Sequence, residues 1–116
     1  MEVYTLKGEM MAETNAQSLA VIDQQIKELD VVAKQTNGDL NTVAGAERIT
    51  KWKSRTVALL AQQVGKKEAD ELAQKKPGPS FTSDLLEEFN DEVEFYRAHL
   101  TALAKRLRAA PPASAG

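Results

Sequence analysis

Apolar side chains recur along the chain at the alternating three- and four-residue steps that gather them on one side of an α-helix. From about Glu9 to Gln35, a narrow stripe is formed by Leu19, Ile22, Ile26, Leu29 and Ala33, with Ala12 continuing it upstream. The run Thr36-Asn37-Gly38-Asp39 is expected to stop this helix. Asn and Gly tolerate the left-handed conformation at a helix C-terminus, and Asp39 can cap whatever follows. A second helix is predicted from roughly Leu40 to Val64, with the seam Ile49, Trp52, Thr56 and Leu59, widened by Leu60 and Val64. Gly45 weakens its first turns by about 1 kcal/mol relative to Ala, so Asn41 and Thr42 are rival caps. Gly65 stands where a C-cap glycine belongs, and Lys66 and Lys67 suit the negative end of the helix dipole.

Lys67 to Gln74 reads as one or two helical turns with Ala69, Leu72 and Ala73 facing inward. The clearest break follows at Lys75-Lys76-Pro77-Gly78-Pro79-Ser80, where two prolines lack amide hydrogens and restrict the residues before them. A third long helix is predicted to begin near Thr82 or Ser83, whose hydroxyls can cap it. Asp84, Glu87 and Glu88 suit the positive end of its dipole, and Phe81 is placed to act as a hydrophobic staple. The seam of this helix is the strongest pattern in the chain. Leu86, Phe89, Val93, Tyr96, Leu100, Leu103 and Leu107 alternate steps of three and four without a miss. Beyond Ala109, the alanine- and proline-rich end reads as a tail or linker over 111–116, leaving a helical domain over 1–110.

Three helices of similar length, roughly 37 to 40 Å at 1.5 Å rise per residue, and joined by short turns, favour antiparallel packing. The expected fold is all-α: an up-down-up bundle of three long antiparallel helices with one short extra helix, expected to dimerise.

Composition narrows the function classes. The 116-residue chain is the size of one domain, and its 42% hydrophobic and 28% charged residues are a globular balance. A formal net charge of -2 supplies no global positive field to hold nucleic acid or an anionic membrane. The absence of cysteine removes disulfides, thiolate metal sites and cysteine nucleophiles, and fits a reducing cytoplasm. Met1 to Met11 carries Glu2, Lys7 and Glu9 with no unbroken apolar stretch, which is expected of neither a signal peptide nor a membrane span.

Candidate chemistry is sparse. His99 is the single histidine, and Tyr96 stands three residues before it, so the Glu-x-x-His pairs of a bundle metal site are missing. It reads as a boundary position beside Leu100. Arg97-Ala98-His99 invites comparison with the helical ribonuclease fold called HEPN, whose motif places four to six residues between its arginine and histidine. Here one residue intervenes, and the two side chains diverge by roughly 200° around the helix. No glycine begins a phosphate loop, and no serine or threonine comes with a recognisable base and orienting acid. The reading is therefore not an enzyme, with no cofactor and no metal.

Two charged surfaces remain. Arg48, Lys51 and Arg55 share one side of the second helix and are the alternative candidates for binding a ligand or nucleic acid; such a face is more often solvated or paired with a neighbouring helix. The third helix is acidic in its first half, with Asp84, Glu87, Glu88, Asp91, Glu92 and Glu94. Its second half is basic, with Arg97, His99, Lys105, Arg106 and Arg108. Two copies laid antiparallel would match acid to base, while the same arrangement also complements the helix dipole. Phe95 lies off the seam on a polar face and marks a contact surface. The candidate interface is thus Phe95, Arg97, His99, Glu88 and Glu92, for a homodimer or another protein partner.

The stretch from Gly45 through Trp52, Arg55, Leu59 and Leu60 to Gly65, followed by Glu68-Ala69, resembles a helical region of uncharacterised bacterial proteins. There a Trp-x-x-Arg helix ending in Gly precedes a proline-containing turn and another long helix. Some of these regions are similar to accessory segments placed ahead of predicted nucleotide-binding or TIR-like effector domains in defence proteins. The resemblance covers about residues 45 to 108. It implies an assembly or sensing module, with Ala110 to Gly116 sitting where a linker to an effector would begin.

Overall fold

The computed structural model describes residues 2–109, with side chains placed from Ala16 onward. The expectations for the side chains of Met1–Met11 and Ala12, and for the 111–116 tail, lie outside the described residues. The fold is all-α, with α1 (Glu2–Asp39), α2 (Thr42–Gln63), α3 (Lys66–Gln74) and α4 (Leu85–Ala109). Three long helices and one short one form the expected antiparallel bundle, except that the third long helix runs with the second, because the short helix takes the return leg of the up-down-up order.

Cross-helix pairs fix the directions. Ser18 bonds to Gln63, Trp52 to Gln25 and Arg48 to Asp39, so α2 runs antiparallel to α1. Asn37 bonds to Asn90, Arg97 to Asp30, and Arg108 lies by Asp23, so α4 also runs antiparallel to α1. The two long helices α2 and α4 therefore point the same way. The return leg between them is made by α3 and the proline-containing strap 75–84, giving up, down, up, down with a short third leg. α1 packs along both α2 and α4, while α3 packs on α2.

Because α1 serves two long neighbours, its buried row differs from the purely apolar stripe. Ser18, Ile22, Gln25, Leu29, Val32 and Thr36 are buried, again at alternating steps of four and three. Leu19, Ile26 and Ala33 lie alongside, partly buried against the core. The polar members of the row are satisfied. The Ser18 hydroxyl donates to the Gln63 carbonyl at 3.0 Å, and the Thr36 hydroxyl accepts from Arg48 at 3.0 Å. Gln25 does the most. Its backbone carbonyl accepts the Trp52 indole N–H at 2.8 Å, and its side-chain oxygen lies 2.8 Å from the Thr56 hydroxyl. The Thr56 hydroxyl has one proton, which serves either Gln25 or the Trp52 carbonyl, also 2.8 Å away.

The end of α1 departs from the turn chemistry of its sequence. Asn37 and Gly38 stay helical, because Thr36 is buried and the Asn37 amide bonds both the Ala33 carbonyl and, reciprocally, the Asn90 amide. The left-handed residue is Leu40, at φ 56°. Its N–H closes on the Thr36 carbonyl at 2.8 Å, and Asn41, one of the two rival caps, accepts the Ala44 N–H at 3.0 Å. Gly45 has a packing role that its weak helix propensity does not show. It is buried where the three long helices meet, and a Cβ there would sit 2.6 Å from the Thr36 methyl and 2.8 Å from the Phe89 ring.

At the far end of α2, the Gly65 N–H bonds the Leu60 carbonyl in extended backbone, and Gly65 then opens α3. Ala69 and Leu72 of α3 are buried as expected; Ala73 is exposed, because one face of a two-turn helix is all that α2 covers. The α4 seam is buried from Phe89 to Leu103, joined by Ala104, with Leu86 and Leu107 partly covered. Its cap is Asp84 rather than Thr82 or Ser83. The Asp84 carboxylate accepts the N–H groups of Leu86 and Glu87 at 2.9 and 3.1 Å, while Thr82 accepts the Asp84 N–H. Phe81 is not a staple: it is 98% exposed.

Two substitutions test this packing by urea unfolding. Gly45→Ala gains up to about 1 kcal/mol of helix propensity but overfills a closed site at about 1–3 kcal/mol. A lower midpoint is expected, and a raised one would show that the crossing yields. Thr56→Val reports which acceptor holds the Thr56 proton: a loss of about 1–3 kcal/mol, most of it restored by Gln25→Met in the double variant, assigns it to the Gln25 side chain, and a neutral change assigns it to the Trp52 carbonyl.

Candidate interaction surface

The strap is anchored where it leaves α3. The Lys75 carbonyl, at the open end of that helix, accepts the Lys53 ammonium at 2.6 Å and lies 3.4 Å from the Tyr96 hydroxyl. Lys53 also stands over the Tyr96 ring, 5.2 Å from its centre, and Tyr96 packs on Trp52 at 5.8 Å. The start of the strap is thus tied to the seam between α2 and α4. From there 77–82 runs along α4 and encloses a groove of about 480 Å³. Pro77, Pro79 and Phe81 line it on the strap side; Glu87, Glu88, Asp91, Glu92 and Phe95 line it on the helix side.

The candidate interface residues separate into two groups. Glu88, Glu92, Phe95 and His99 are spaced four, three and four residues apart, which places them on one side of α4. Glu88, Glu92 and Phe95 share the groove, and Phe95 meets Tyr96 edge-on at 5.2 Å. Arg97 faces elsewhere, pairing with Asp30 of α1 and Glu94 of its own helix. His99 lies further along, beside Glu71, Gln74, Lys75 and Arg106 at a second depression.

The charge division of α4 takes on a different meaning in the fold. Of its basic half, Arg97 pairs with α1, Arg106 approaches Glu71 of α3 at 3.5 Å, and Arg108 approaches Asp23 of α1 at 3.7 Å. An antiparallel match of two α4 helices would have to displace these pairs. Glu87, Glu88, Asp91 and Glu92 form no ion pair among the described residues, though Glu87 accepts a hydrogen bond from Thr82. Burial raises the Glu92 carboxyl above its ordinary pKa, the neighbouring Glu88 adds to the effect, and Lys53 opposes it.

The basic face of α2 is largely spoken for. Arg48 pairs with Asp39 at 2.8 Å, where its hydrogen bond holds the Asp39 carboxyl below its ordinary pKa, and Arg55 lies 3.6 Å from Glu28. Lys51 is exposed between them. The structure therefore does not gather Arg48, Lys51 and Arg55 as free cations.

The sequence pattern missed Phe81, Glu87 and Asp91 as residues that line the same groove as Phe95. The signal was a Pro-x-Pro strap with an aromatic two residues after its second proline, six residues before the acidic pair Glu87-Glu88. Among the described residues no helix is long and apolar enough to cross a membrane, and no three His, Asp or Glu side chains converge to hold a metal ion. No protein-family model, no curated protein and no solved structure matches the chain.

His99 gives the surface a pH signature. Burial lowers its pKa below 6.5, with Lys75 and Arg106 adding to the effect and Glu71 opposing it, and its Nε2 is enclosed without a hydrogen-bond partner. A folded-state pKa below the unfolded one favours folding above about 6.5, and that contribution is lost as pH falls. Thermal melts between neutral and mildly acidic pH should show the wild type losing Tm faster than His99→Gln; equal slopes would place the imidazole in open water.

Proposed function

We propose that the chain is a non-enzymatic helical module for protein–protein docking and self-assembly, working through the outer side of α4 and the strap beside it. The observation that carries this reading is Phe81. A fully exposed aromatic, held next to a groove floored by Phe95, is surface that water solvates poorly and a partner would cover. The surrounding carboxylates make the polar rim such contacts use.

The same reading is what the resemblance to accessory segments of bacterial defence proteins implies: a module that assembles or senses and passes the result to an effector. A cysteine-free composition supports a reducing cytoplasm as its setting.

Sedimentation velocity across a wide concentration range tests self-assembly. The mass is expected to rise with concentration, and Phe81→Ser, a change at a side chain that touches nothing in the core, is expected to weaken the association while leaving helical circular dichroism intact. A particle that stays monomeric throughout removes self-assembly.

A further inference from the structure

We infer that the groove between the 77–82 strap and α4 takes a basic peptide segment carrying an apolar anchor residue. The inference rests on the docking reading above and names the chemistry of the occupant.

Three features of the groove select it. Pro77, Pro79, Phe81 and Phe95 give an apolar lining that a bare cation would not use. Glu87, Glu88, Asp91 and Glu92 add four carboxylates on two successive turns of α4, without a paired base among the described residues. Lys53 acts on Glu92 through its charge but forms no ion pair with it, its ammonium donating to the Lys75 carbonyl and standing over the Tyr96 ring. Carboxylates crowded in this way repel one another, and positive charge entering between them relieves the repulsion. An acidic or nucleic-acid ligand is disfavoured by the same charges.

The basic half of a second copy's α4 is a poor occupant. Its Arg97, Arg106 and Arg108 already meet carboxylates of their own chain, which leaves the exposed Lys105 as a single base for four carboxylates. An occupant with uncommitted lysines or arginines gains the full interaction without breaking those pairs. Its apolar residue would meet Phe81 and Phe95, and its bases would meet Glu88 and Asp91 at the rim.

Fluorescence anisotropy tests this with the full chain and a short labelled peptide of lysines and arginines around one central leucine. Binding that weakens as salt rises is expected, with loss of roughly fivefold for Glu88→Lys, whose side chain is exposed. Phe81→Ser in the protein, or serine for leucine in the peptide, should each cost about tenfold. Spermine should compete weakly, because it lacks the anchor. Flat anisotropy, binding indifferent to both Phe81→Ser and Glu88→Lys, or displacement by spermine as effective as by the leucine peptide would each overturn the inference. If the peptide fails while sedimentation shows association sensitive to Phe81→Ser, docking stands and the basic occupant falls. If the peptide binds to a strict monomer, the occupant stands and self-assembly falls.

Discussion

Two residues of α2 reach a single residue of α1, and the register of the bundle follows from that meeting. Stripes that repeat at steps of three and four pack almost as well after sliding by a heptad, so apolar burial alone leaves the helices free to choose among offsets. Trp52 and Thr56 remove the choice. The indole needs an acceptor inside the core, and it finds one in the Gln25 carbonyl, while the Gln25 side chain meets the Thr56 hydroxyl. Any other offset would take the Gln25 carbonyl away from the buried indole N–H, at about 1–3 kcal/mol, while the Thr56 hydroxyl keeps the Trp52 carbonyl of its own helix. With the offset set, Thr36 falls opposite Gly45, Arg48 opposite Asp39, and Ser18 opposite Gln63.

α4 enters a frame already defined. Phe89 comes up against Gly45, the paired amides of Asn37 and Asn90 close one end, and the arginines of its second half spread to Asp30, Asp23 and Glu71. Its charge polarity is thereby resolved unequally. The three arginines of the basic half meet acids of their own chain, and Glu87, Glu88, Asp91 and Glu92 of the acidic half are left facing the strap. Surface pairs of this kind contribute little stability individually, yet they decide which charges remain for anything that approaches from outside.

Much of this was legible in the chain. Phe89, Val93, Tyr96, Leu100 and Leu103 are buried as their spacing requires, because an unbroken alternation on one helix admits one inward face. The proline pair placed the break before α4, and the four helices follow their periodic segments. What sequence could not show depended on neighbours. A hydrophobic-only reading of α1 passed over Gln25 and Thr36, since nothing local announces that a polar side chain will be satisfied by another helix. Asn37-Gly38 looked like a stop because its turn propensity is strong; burial of Thr36 and the bond to Asn90 outweigh it. That Phe81 and Phe95 line one groove was hidden for a similar reason. Phe81 sits where a staple would sit, and only the path of the strap reveals that it points away from the core.

That path has a consequence for how the molecule holds together. Residues 77–81 are exposed, and they are the only covalent tie between α4 and the rest of the bundle. A protease that cut at Gly78 would leave α4 on the bundle by its Phe89–Leu103 seam and its arginines alone. Folding would then become an encounter between two fragments, and the persistence of the native form would depend on how concentrated they are, where before it depended on temperature and solvent.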